Sequence, residues 1–113
     1  MGRNGANGCA ARRCRSGEMG ALHHVSLAPA DHAAWALLLD SLADDDVVVL
    51  LDQAIRESDA VAGIIAGASV AVRWCVPAVE CPPGARLPAP LVLIADADWW
   101  ALVAARERLV EWN

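Results

Sequence analysis

Three short apolar runs set the frame of this 113-residue chain: residues 47–51, 70–76 and 91–95. The first, Val47-Val48-Val49-Leu50-Leu51, lies between Asp46 and Asp52 and shows no alternation of apolar and polar positions. Five residues are too few for a buried helix. An unbroken run rich in β-branched side chains suits a strand covered on both faces, as in the interior of a parallel sheet. A fourth strand is predicted at residues 22–27, ended by Ala28-Pro29.

Helical periodicity separates these runs. Trp35, Leu38, Leu39 and Leu42 fall at i, i+3, i+4 and i+7, which predicts helix 1 over residues 30–43 with Asp31 as N-cap. Residues 53–68 predict helix 2, with Ala54, Ser58, Val61 and Ile65 on one face and Gly63 and Gly67 weakening it. Five prolines between Pro77 and Pro90 leave a loop with room for one helical turn. Residues 98–109 predict helix 3, capped by Asp96 or Asp98, with Trp99, Leu102 and Val103 inward and Trp100 about 100° away. The expected fold is α/β: a small three-layer domain with a mostly parallel four-stranded sheet.

Composition sharpens this picture. Hydrophobic content is 57%, above the usual level of roughly 45–50%. The surplus points to a subunit interface. Residues 1–20 lack periodicity and are expected to be a disordered N-terminal extension, leaving 21–113 as the domain. Residues 1–18 carry four Arg against Glu18, a charge of +3; residues 19–113 carry five Arg against 13 acidic residues, a charge of -8. Such a domain is poorly suited to neutralising phosphates, so direct nucleic-acid binding is not expected. With no apolar leader and no membrane-length run, the expected compartment is the cytoplasm, where Cys9, Cys14, Cys75 and Cys81 stay reduced.

The candidate chemistry is sparse. Cys75 ends the third strand, where reactive groups gather in open α/β sheets, and is the one residue to weigh as a catalytic thiol. Its β-branched neighbours and Pro77 favour a buried, inert side chain. Cys75 and Cys81 have neither redox-motif nor zinc spacing. His23 and His24, adjacent on a strand, point to opposite faces and cannot easily share a metal ion. His24, Ser26 and Asp31 lack a nucleophile elbow. The run Asp44-Asp45-Asp46 reads as a solvated turn, and Asp52, Asp96 and Asp98 as helix caps. No Gly-rich phosphate loop is present, and no cofactor or metal is expected.

Several short motifs occur in a telling order. Leu22-His23 opens a strand followed by Ser26, Pro29 and helix 1; Leu50-Leu51-Asp52-Gln53-Ala54-Ile55 forms a strand-to-helix turn; Leu91-Val92-Leu93-Ile94-Ala95-Asp96-Ala97-Asp98-Trp99-Trp100 leads through a helix to Glu111-Trp112-Asn113. Together they resemble the TusB/DsrH family of sulfur-relay subunits over residues 21–113. The turn departs from the family's acidic-or-amide, Asp, Gly pattern, and the proline-rich loop replaces a charged helical turn after strand 3. The helix-1 cysteine of some DsrH members is absent, the nearest positions being Leu37 and Leu38.

The resemblance implies a flavodoxin-like fold and a heterohexamer with TusC-like and TusD-like subunits. It also implies an indirect link to a TusE-like sulfur carrier, in support of 2-thiolation of the tRNA wobble uridine. The working cysteine is then expected on the TusD-like partner, with this chain a non-catalytic subunit. The alternatives are a DsrH-like subunit in dissimilatory sulfur oxidation, a direct persulfide carrier using Cys75, and a self-associating α/β domain with no sulfur role.

Overall fold

The computed structural model describes residues 20–68, 72–84 and 86–113. The expected disorder of residues 1–19, and the start of the third predicted strand at residues 70 and 71, lie outside the described residues. The domain is α/β. Strands β1 (Leu22–Val25), β2 (Val47–Leu50), β3 (Arg73–Pro77), β4 (Leu91–Ile94) and β5 (Leu109–Trp112) form one sheet of order β4-β3-β2-β1-β5, parallel throughout. This is compatible with a flavodoxin-like fold and bears out the expected parallel character of the sheet, but corrects the expected four strands to five among the described residues. The added strand is β5. Helix α4 (Asp96–Ala105) stops four residues short of its expected end, because Arg106 turns extended. The chain then pairs with β1.

Helix α1 (His32–Ser41) lays Trp35 and Leu38 against the sheet. Asp31 caps it, its Oδ1 accepting from the Ala34 amide at 3.3 Å. The helix expected over 53–68 is two, α2 (Gln53–Arg56) and α3 (Ser58–Ile65), hinged at Glu57. In one continuous helix Ile55 and Val61 would point roughly 120° apart. The break lets both bury, together with Ala54 and Ile65. The described part of the proline-rich loop contains a 3₁₀ turn, Ala78–Glu80.

Alternation along the strands divides the core between the two faces. Val25, Val48, Leu50, Trp74 and Val76 pack with α1, α2 and α3. Leu22, Val47, Val49, Cys75 and Ile94 pack under Trp99, Leu102 and Val103 of α4. Among the described residues three helices thus cover one face and α4 crosses the other, giving three layers. None of α4's own residues is fully buried, and its outer stripe of Ala97, Trp100, Ala101 and Ala104 is exposed. Among the described residues no helix is long and apolar enough to cross a membrane.

Candidate functional site

The polar side chains gather around β1, next to the C-terminal strand. His23 is 2% exposed and lies on the α1 side of the sheet. The indole Nε1–H of Trp112 donates to His23 Nδ1 at 3.1 Å, while His23 Nε2 lies 2.9 Å from Asp46 Oδ2. An indole nitrogen only donates. Nδ1 therefore carries the lone pair, and the proton on Nε2 points at the carboxylate.

Asp46 is buried as well, which corrects its reading as part of a solvated turn. Its Oδ1 accepts from the Ala21 amide at 2.9 Å, and its Oδ2 from the Ala43 amide at 3.1 Å in addition to His23. One carboxylate thus binds the chain entering β1, the end of the α1 connection and a histidine. The turn beneath it is tight. Asp45 adopts a positive φ of 74°, and Gly20 passes so close that a Cβ there would lie 2.5 Å from the Asp45 carbonyl. The Arg106 guanidinium closes the corner, donating from Nη1 to the carbonyls of Gly20 at 2.9 Å and Asp45 at 3.0 Å. Gly20, the last residue of the expected extension, therefore packs as part of the domain.

His24 makes the corresponding arrangement on the opposite face. Trp99 Nε1–H donates to His24 Nε2 at 3.1 Å, which leaves the proton on Nδ1, 3.9 Å from Glu111 Oε2. Burial pushes the His24 pKa below its ordinary 6.5, and Glu111 opposes the shift. The two histidines do sit on opposite faces, each with its own indole and carboxylate. Both bind the segment that runs through α4 and β5.

The remaining sequence candidates stand apart. Cys75 is 1% exposed, in the cluster under α4. Burial pushes its thiol pKa up, against a smaller lowering by Arg73. Cys81 is partly buried, packed against the other face's core. Cys9 and Cys14 lie outside the described residues. His32 is exposed at the start of α1. Asp31 caps α1 and His24 serves Trp99, so these two members of the Ser26 trio have separate tasks.

Asp52 occupies the N-cap position of α2 but makes no capping bond, and its φ of 50° is positive. Asp96 and Asp98 are in the first turn of α4 rather than at its cap, which is Ala95. The Asp96 Oδ1 instead accepts from the Val79 amide at 3.2 Å. The expected cap position thus holds for Asp52 without the capping bond, and is corrected for Asp96 and Asp98. In the first turn, the Asp96 and Asp98 carboxylates still complement the helix dipole. Among the described residues no three His, Cys, Asp or Glu side chains group as metal ligands.

Sequence reasoning missed Asp46 and the partners of both histidines. No local pattern marks them, since the side chains that pair lie 23 to 89 positions apart in sequence. The chain matches no protein-family model, and no curated protein matches it.

Proposed function

We propose that this chain is a non-catalytic subunit of a TusBCD-like sulfur-relay complex, supporting 2-thiolation of the tRNA wobble uridine. The observation that carries this reading is the hydrogen bond between His23 and Trp112. These residues belong to the first and last motifs of the resemblance, 89 positions apart in sequence, and they meet in the folded chain. That gives a physical reason for the two motifs to occur together. An all-parallel α/β sheet is compatible with the fold the resemblance implies.

The non-catalytic role has its own support. A thiol acts as nucleophile through its thiolate, which needs access and a low pKa. Cys75 has neither, being buried with its pKa raised. The chain instead offers surface. Trp100 is 65% exposed on α4, and alanines at 97, 101 and 104 share its stripe, so another helix can approach closely around an aromatic anchor.

Co-expression with TusC-like and TusD-like subunits tests the reading. The expected result is a stable complex with two copies of each chain, weakened by Trp100→Ala beyond the small loss of this chain's own stability that its stacking on Trp99 implies. Failure of the three chains to co-purify would overturn it.

A further inference from the structure

The two edges of the sheet are built differently. At one edge, β5 carries Glu111 and is preceded by Glu107 and Arg108, all exposed. Charges of this kind are how a sheet edge is kept from pairing with another chain. At the other edge, β4 is Leu-Val-Leu-Ile, within nine uncharged residues from Leu87 to Ala95. Among the described residues its register pairs it with β3 alone, so its outer N–H and C=O groups have no ladder partner there. Val92 is 56% exposed on the α4 face and Leu93 53% on the other, with Val79 64% exposed in the adjoining turn. An edge that is apolar on both faces and free of charge matches another strand.

We propose that this edge is a dimer contact, where β4 of a second copy adds antiparallel to make a ten-stranded sheet. Charge selects the occupant and its direction. The domain carries -8 over residues 19–113, so two copies repel wherever their carboxylates face each other. The β4 edge brings none together. The flank before β4 carries Arg86 and the flank after it carries Asp96 and Asp98, all exposed. Antiparallel pairing sets the basic flank of each copy at the acidic flank of the other, twice over. A parallel arrangement would set like against like.

Register follows from the faces. Directly opposed residues in a ladder point to the same side, and Val92 and Leu93 point to opposite sides. The two-fold axis therefore passes through a residue position, and the greatest overlap of the two four-residue strands puts it at Val92 or Leu93. Through Val92, it opposes Val92 to itself and Leu91 to Leu93. Through Leu93, it opposes Leu93 to itself and Val92 to Ile94. Either solution pairs apolar with apolar. The association is closed at two copies, because the charged β5 edge offers no continuation.

Sedimentation of the full chain alone, at tens of micromolar, tests this independently of any sulfur-relay partner. The expected species has twice the 11.9 kDa chain mass. Val92→Lys and Leu93→Lys, at positions already more than half exposed, should each weaken it by more than about tenfold, with a melting temperature that matches wild type when both are diluted to monomer. Arg86→Asp should weaken it too, and adding Asp98→Arg should recover the loss. A monomeric wild type overturns the proposal, including one that pairs through β4 only with a different protein. A dimer untouched by both lysine variants also overturns it, and a charge swap with no recovery overturns the antiparallel arrangement.

Discussion

Trp112 Nε1–H donates to His23 Nδ1 at 3.1 Å, and this bond fixes which nitrogen of the ring carries the proton toward Asp46. The C-terminal strand is thereby joined to the polar corner that holds the entry to β1 and the turn before β2. Strand β5 has only four residues, none fully buried. Its backbone ladder to β1 is supplemented by the indole on one face and by Glu111 facing His24 on the other.

Asp46→Ala should therefore be severe. It leaves two backbone amides and the His23 Nε2–H without an acceptor in a buried corner. Each unmet buried donor costs about 1–3 kcal/mol, so a loss of roughly 3 kcal/mol or more is expected. Trp112→Phe removes one donor and should cost about 1–2 kcal/mol. Urea unfolding of Trp112→Phe, His23→Phe and the double variant should give a coupling of roughly 1 kcal/mol. Strict additivity would show that the bond contributes nothing.

The pH response should come partly from His24. Its folded pKa lies below the unfolded 6.5. Between those two values the unfolded chain binds more protons than the folded one, so unfolding free energy rises with pH in that window. The His24 contribution to stability is complete above about 6.5, declines as pH falls through 6.5, and levels off below the depressed folded value. Replacing the ring, as in His24→Gln, should flatten this part of the melting-temperature profile relative to wild type. Glu111→Gln should extend the decline to lower pH, because Glu111 raises the His24 pKa. Parallel profiles for wild type and His24→Gln would exclude His24 as the source.

Asp52 holds φ 50° and ψ -117°, an unfavourable region for a residue with a side chain. Its carboxylate makes no capping bond in return. Such conformations cost about 1–3 kcal/mol, while glycine adds roughly 0.4–1 kcal/mol of unfolded-chain entropy. Asp52→Gly should thus stabilise the chain by up to about 2 kcal/mol in urea unfolding. Destabilisation instead would show that the Asp52 side chain makes a favourable interaction of its own.

The legible parts of the fold were those where local pattern and burial agree. β2 is four consecutive buried residues, and α1 buries the stripe of Trp35, Leu38 and Leu42 that its spacing marks. β5 was not legible. Leu109 and Glu111 face out, Val110 and Trp112 are half-buried, and the segment follows a helix without a glycine or proline to stop it. What ends α4 is tertiary: the Arg106 side chain bonds carbonyls at Gly20 and Asp45, more than 60 positions away in sequence. Asp46 was missed for the same reason, since its donors include Ala21 and His23 from a distant strand. The opposite facing of His23 and His24 could be read, because period-two alternation alone decides it.

Cys75 provides the sharpest test between a structural subunit and a carrier. Its side chain is enclosed by Leu22, Val47, Val49 and Ile94, and burial raises its pKa. A thiol-specific reagent at pH 8 should label Cys81, which is partly buried, well before Cys75, with the label assigned by mass spectrometry. Cys75 should react only at the rate at which the fold opens. Cys75→Ser puts a hydroxyl into this apolar cluster and should cost about 1–2 kcal/mol of stability. Sulfur transfer by a reconstituted complex, compared on folded and assembled protein, should stay within about threefold of wild type for Cys75→Ser, Cys81→Ser and the pair, since the working thiol is expected on the TusD-like partner and Cys75 is buried with its pKa raised. Persulfide on Cys75 after incubation with a sulfur donor, with transfer lost in Cys75→Ser, would instead make this chain a carrier. The fold would then have to open around β3 during each cycle.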